Sequence, residues 1–186
     1  WIERSHAPSE RGVAARVQSY LVGARARVAA KLTDTWPIPD AGKSAVPTII
    51  RGAADIAAML FDESAEAKVL AAQLDPTMRD LLRRACLDAL RELAAAGVEL
   101  TPERINELVD EQLGSLIVSR ALPGDRIAMV TSATRDAVNE LVRKGLVEGA
   151  TIAEMQARLQ LDQGFSPARA LTIARTETTR AVNAGT

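Results

Sequence analysis

Three times along this chain a residue able to cap a helix is followed at once by proline: Asp75-Pro76, Thr101-Pro102 and Ser166-Pro167. The capping side chain accepts hydrogen bonds from the free N–H groups of a first helical turn. Proline is tolerated just inside that turn because its missing N–H would have had no partner there. A chain punctuated in this way is a succession of helices. Composition agrees: 47% of residues are hydrophobic but only 3% are aromatic, so the core must be built from Leu, Val, Ile and Ala packed helix to helix. Sheet sandwiches lean instead on aromatic and β-branched residues at short regular spacing. The sequence therefore predicts an all-α fold of about six or seven helices, a multi-helix bundle of antiparallel hairpins with an N-terminal helical arm.

The apolar periodicity locates the helices. Residues 9–33 form the first, capped by Ser9 and striped by Val13, Val17, Tyr20, Leu21, Ala24, Val28 and Leu32. With Trp36 they make up the arm, residues 1–36. Pro37, Pro39, Gly42 and Pro47 mark residues 37–47 as a linker, and Trp36 is expected to plug a gap between helices. Residues 48–124 hold the hairpins. A segment with Ile49, Ala53, Ile56, Leu60 and Phe61 bends near Asp62-Glu63-Ser64, a new helix starts at Pro76 and ends at Gly97, and another follows Thr101 until the break at Ala121 to Gly124. From Asp125 one helix runs to Gly145. Thr151 and Glu154 form a capping box for a short helix reaching about Leu159, and a turn from Leu161 to Phe165 leads to the final helix.

Several function classes find no footing. The whole chain carries a net charge of −1, although the first 31 residues hold six basic residues against two acidic ones. Without interleaved aromatics, that excess predicts at most a weak, salt-sensitive DNA contact through the N-terminal arm. The only histidine is His6, and Cys86 is the only cysteine, so neither a histidine-based catalytic scheme nor a zinc cluster has its residues. Cys86 reads as a small core residue. Gly42-Lys43-Ser44 has the tail of a phosphate-binding loop, but Pro37 stands where the loop needs its first glycine. Asp62-Glu63 and Asp110-Glu111 read as solvated surface carboxylates. No apolar run approaches the roughly 18 residues that span a bilayer, and the first ten residues lack a signal-peptide core.

The segment Ser166 to Thr186 asks for more than a helix. Ala170, Leu171, Ala174, Thr178, Ala181, Val182 and Gly185 form a stripe of mostly small residues that suits close approach to another helix, with Arg169, Glu177 and Arg180 off it. Helix propensity does not account for Ile173-Ala174-Arg175-Thr176-Glu177-Thr178, because Thr is a mediocre helix former. The run IARTETTRAVNAG resembles the signature of the phage minor head protein, or head morphogenesis, family typified by phage Mu protein F. The likeness rests on Ile173, Ala174, Arg175, Thr176, Glu177, Thr178, Ala181, Asn183 and Gly185. Upstream, Gly145-Leu146, Gly149-Ala150-Thr151-Ile152 and Leu159 support it. It covers residues 125–186. In the family the signature helix leads into a further strand-containing region, so this segment is expected to be truncated at its C-terminus.

What the resemblance implies is a structural protein of the virion, assembled in the host cytoplasm. It would act at or near the portal vertex in capsid assembly and DNA packaging or ejection. Its partners would be the portal protein and other head proteins, with no cofactor, no membrane and no enzymatic activity of its own. The Ala-rich faces also suit a homo-oligomer. Two other readings stay open: the helical N-terminal part of a phage-associated toxin or transferase whose catalytic domain lies beyond residue 186, and a cellular helical adaptor. As plain chemistry, Arg175, Glu177, Arg180 and Asn183 could be surface pairs and caps worth roughly a few tenths of a kcal/mol each. The match to so particular a string favours an interaction role for Ile173, Arg175, Thr176, Glu177, Thr178, Arg180, Asn183 and Gly185, holding a junction with a further module or with the portal.

Overall fold

The first helix, α1 (Ile2–Thr35), is the element on which the others are laid. In a computed structural model that describes residues 2–36, 46–119 and 124–185, with side chains described over 8–36, 52–111 and 127–183, α1 packs against four other helices. Those are α2 (Val46–Leu60), α3 (Glu63–Ala95), α6 (Ile152–Leu161) and α7 (Pro167–Gly185). The remaining helices are α4 (Pro102–Ser119) and α5 (Gly124–Glu148), and a 3-10 turn, Gln163–Phe165, joins α6 to α7. All regular structure among the described residues is helical, so the fold is an all-α bundle.

The N-terminal helix is not an arm. Its whole stripe, Val13, Val17, Tyr20, Leu21, Ala24, Val28 and Leu32, is buried in the main core. So long an apolar stripe cannot face water, and here it forms the centre of the molecule. The ion pair Arg27–Glu66 at 2.6 Å and the closeness of Gly12 to Thr77 run α1 and α3 antiparallel. Arg175 against Glu10 at one end, with Arg25 at the other reaching the Gln160 carbonyl at the end of α6, from which the chain turns into α7, makes α7 antiparallel to α1 as well. Helices α3 and α7 thus lie side by side along α1.

The breaks expected at Pro76 and just before Ser9 are absent, whereas those near Asp62 and at Gly97 are present. Helix α3 does not restart at Pro76 but runs through it, with Asp62 as its N-cap accepting from the Ala65 N–H at 3.0 Å. The face Leu70, Leu74, Met78, Leu81 and Leu82 is buried continuously across the proline, and that packing overrides the lost hydrogen bond. Likewise α1 passes through Pro8 rather than starting at Ser9. The end at Gly97 is as expected. Its φ is +94°, Val98 N–H reaches the Leu93 carbonyl and Gly97 N–H the Ala94 carbonyl, and α4 follows with Thr101 accepting from Arg104 N–H at 3.3 Å. The segments 37–45 and 120–123, which hold Gly42-Lys43-Ser44 and most of the break expected from Ala121 to Gly124, lie outside the described residues.

Helix α5 also outruns its expected end, continuing past Gly145 to Glu148, and Gly149 at φ +65° closes it. Gly145 has another task. A Cβ there would sit 2.2 Å from Met155 Sδ and 2.9 Å from the Trp36 ring. Trp36 does plug the gap: it is buried, and its Nε1 donates to the Ala150 carbonyl at 2.9 Å. The capping box at Thr151 and Glu154 is formed in both directions. Thus α1, α5 and α6 meet around one indole, while the far halves of α5 and α7 face each other at the opposite end.

Candidate docking groove

Ser166 caps α7 as the sequence predicts, its Oγ accepting from Arg169 N–H at 3.2 Å. Ala170, Ala174, Thr178 and Ala181 are buried, against α1 and α3. Their small size lets the backbones approach closely. Leu171, expected on that stripe, is instead 37% exposed, one helical step off the buried line. Of the two hydroxyl residues that propensity left unexplained, Thr176 has a local role and Thr178 does not. Thr176 Oγ1 donates to the Thr172 carbonyl and Thr172 Oγ1 to the Ala168 carbonyl, each at 3.1 Å, whereas the buried Thr178 hydroxyl has no hydrogen-bond partner.

The residues that carry the resemblance do not act as one set, because the helix distributes them over three directions. Thr178 points into the core, and Arg175 leans to α1, where its Nε meets Glu10 Oε1 at 2.6 Å. Ile173, Thr176, Glu177 and Arg180 share the side that faces α5, and together they line a groove. Asn183 is exposed near the helix end, and Gly185 is the last helical residue.

The groove has a volume of about 330 Å³ and runs between α7 and the first half of α5. Met129, Val130 and Ala133 form the α5 wall; Arg169, Thr172, Ile173, Thr176, Glu177 and Arg180 form the α7 wall. Met129 stands 68% exposed at its edge. On the core side of α5, Thr131 and Thr134 are buried, and each turns its hydroxyl back on its own helix, Thr134 onto the Val130 carbonyl at 2.7 Å.

Arg169 spans the end of this groove. It donates through Nη2 to the Val130 carbonyl at 3.1 Å and through Nη1 to the Gly164 carbonyl, tying α7 to α5 and to the 3-10 turn. Burial pulls its guanidinium below the usual value, with the charges of Tyr20 and Asp162 opposing that. Among the described residues no carboxylate lies within ion-pair distance of it. Asp162 accepts the Gly164 N–H on its Oδ1 at 2.7 Å and acts on Arg169 through its charge, without an ion-pair contact. Glu177, by contrast, meets Arg180 at 3.2 Å. The groove therefore presents two guanidiniums and one carboxylate around an apolar floor.

Sequence reasoning missed Arg169 and the α5 wall. Arg169 stood off the apolar stripe and read as solvent-facing, and nothing in the sequence shows that residues some forty positions apart will face each other. The paired acids also read differently in place: Asp62 is a cap, and Glu63 meets Arg135 at 2.8 Å. Among the described residues no group of three or more His, Cys, Asp or Glu could hold a metal, and no helix is long and apolar enough to cross a membrane. No family model matches the chain, and neither does any curated protein or solved structure. What the groove does must therefore follow from its own chemistry and from the local string that lines it.

Proposed function

We propose that this chain is a structural protein of a phage or prophage head, a minor head component of the head morphogenesis type that works at or near the portal vertex. The observation that carries the reading is the placing of the signature. Four of its residues, Ile173, Thr176, Glu177 and Arg180, fall on one helix face by their i, i+3, i+4 and i+7 spacing, and that face lines a groove with Met129 and Val130 rather than open solvent. An apolar floor within a polar rim is the anatomy of a protein interface. Docking on a portal or another head protein is the use such a groove fits best, and binding there requires no catalytic group.

The reading is tested by looking for the chain in purified phage particles by mass spectrometry, and for its co-purification with the portal protein encoded by the same phage. Ile173→Asp and Arg180→Ala are expected to reduce its amount in heads severalfold. Leu171→Asp, on an exposed position outside the groove lining, should leave incorporation unchanged. Arg175→Ala removes a surface pair with Glu10, so it should spare folding and act weakly. Heads that keep normal amounts of the Ile173 and Arg180 variants would sink the docking role, and a chain absent from particles altogether would sink the assembly role.

A further inference from the structure

The groove also says what chemistry its occupant carries. A partly buried arginine ordinarily brings its own carboxylate, since an uncompensated charge loses hydration without recovering it. Arg169 does not. Two of its five N–H donors reach main-chain carbonyls, and no acid completes the pair. Carbonyl dipoles hold the guanidinium in place, and Asp162 offsets its charge only in part, since burial still pulls it below its usual value. A carboxylate delivered from outside would meet a half-buried guanidinium held in place, with N–H donors still to spare, a setting that favours charge-assisted hydrogen bonds.

Next to that guanidinium the walls are apolar, and about 330 Å³ is room for one or two side chains but not for a helix. Met129 at the edge, two-thirds exposed, gives an adaptable apolar surface of the kind that protein partners repack against. The rim hydroxyls of Thr172 and Thr176 are turned back on their own helix, so they offer a small polar metabolite little to grip. We propose that the groove docks a partner-protein segment that carries an apolar side chain beside an Asp or Glu. The carboxylate pairs with Arg169, and the apolar group fills the space between Met129, Val130, Ala133 and Ile173. This deepens the docking role proposed for the same groove and rests on it.

The experiment uses two capped dipeptides that differ only in charge, acetyl-Leu-Glu-amide and acetyl-Leu-Gln-amide, titrated into the methyl-labelled chain. The Met129, Val130 and Ile173 methyl signals report the groove. The Glu probe is expected to shift these signals, with the Gln probe about tenfold weaker, the worth of one charge-assisted pair. Arg169→Gln should bring the two probes to equal affinity. Because Arg169 also bridges helices, a second variant is needed. Met129→Glu, on an exposed edge, should leave the melting temperature unchanged and weaken the Glu probe far more than the Gln probe. Equal binding of both probes to the unaltered chain, binding of neither, or shifts away from the groove would each overturn the proposal. Particles separate its failure from that of the docking role. If the probes fail while Met129→Glu still disappears from heads, docking stands and the chemistry falls. If Met129→Glu enters heads normally, docking itself falls.

Discussion

At the scale of single residues, the two helical glycines Gly145 and Gly52 make opposite predictions from the same substitution. Alanine in a helix interior is better than glycine by roughly 0.5–1 kcal/mol. At Gly52 a Cβ would meet nothing within 4 Å, so Gly52→Ala should stabilise by about that amount. At Gly145 the Cβ would strike Met155 at 2.2 Å and Trp36 at 2.9 Å, both buried, so the core around them would have to shift. Gly145→Ala should therefore destabilise by about 1–3 kcal/mol, and pairing it with Met155→Ala should cost less than the sum of the two changes, both read from denaturant midpoints. A second residue-scale test is the Arg27–Glu66 pair. The Glu66 side chain is only 10% exposed and that of Arg27 41%. Arg27→Met strands the carboxylate beside the buried Tyr20, whose phenol burial and Glu66 push above its usual value. Discounted for the exposure of Arg27, the loss should be about 1–2 kcal/mol. Sequence periodicity marked these positions as buried or helical. It could not tell a glycine that ends a helix from one that makes way for a neighbour's sulfur, because that depends on which residue arrives from a distant helix.

At the scale of elements, caps were legible and interruptions were not. Thr151, Ser166, Thr101 and Gly97 behave as their local chemistry dictates, since a cap is satisfied within four residues and needs no knowledge of the fold. Pro76 was misread for the converse reason: its local signal says start, but eight buried residues on α3 hold the helix through it. Since Pro76 is exposed and serves no cap there, Pro76→Ala should restore a main-chain hydrogen bond and raise stability by about 1–3 kcal/mol. The capping box on α6 makes a pH prediction. Hydrogen bonds from the Thr151 N–H and hydroxyl hold the Glu154 carboxyl below its usual value of 4.5. A depressed acid contributes its stability in full above that value and loses it as pH falls through the lower folded value. Acid titration below pH 4.5 should thus loosen the start of α6, seen as a shift of the Thr151 amide signal. In Glu154→Gln that step should vanish. Its persistence would assign the step to other carboxylates, among them Glu140, which Arg143 holds down at about 2.

At the scale of the whole molecule, periodicity reported which face of each helix is apolar but not which helix would cover it. For this reason the class, all-α, was legible while the division into arm, linker and bundle was not. Helix α1 needed α3 and α7, which come much later in the chain, to bury a stripe already visible in its own sequence. The groove has the same origin. α7 is committed to α1 and α3, and α5 to α2 and α3, so neither is free to close on the other. The same accounting singles out α4. Among the described residues it makes more than marginal contact with α3 alone, through a seam that includes the fully buried Val109. A helix held by one neighbour opens by breaking one seam, whereas α1 cannot leave without dismantling the core, and local stability follows the number of such seams. Native-state hydrogen exchange should therefore find the α4 amides exchanging by a sub-global opening, at a free energy well below the global value reached by α1 and the middle of α7. Val109→Ala should accelerate exchange in α4 and in the C-terminal half of α3 while leaving α1 unchanged. If α4 instead exchanges together with α1 at the global value, the α3–α4 hairpin is an integral part of the core, and the ranking of helices by the neighbours that hold them is wrong.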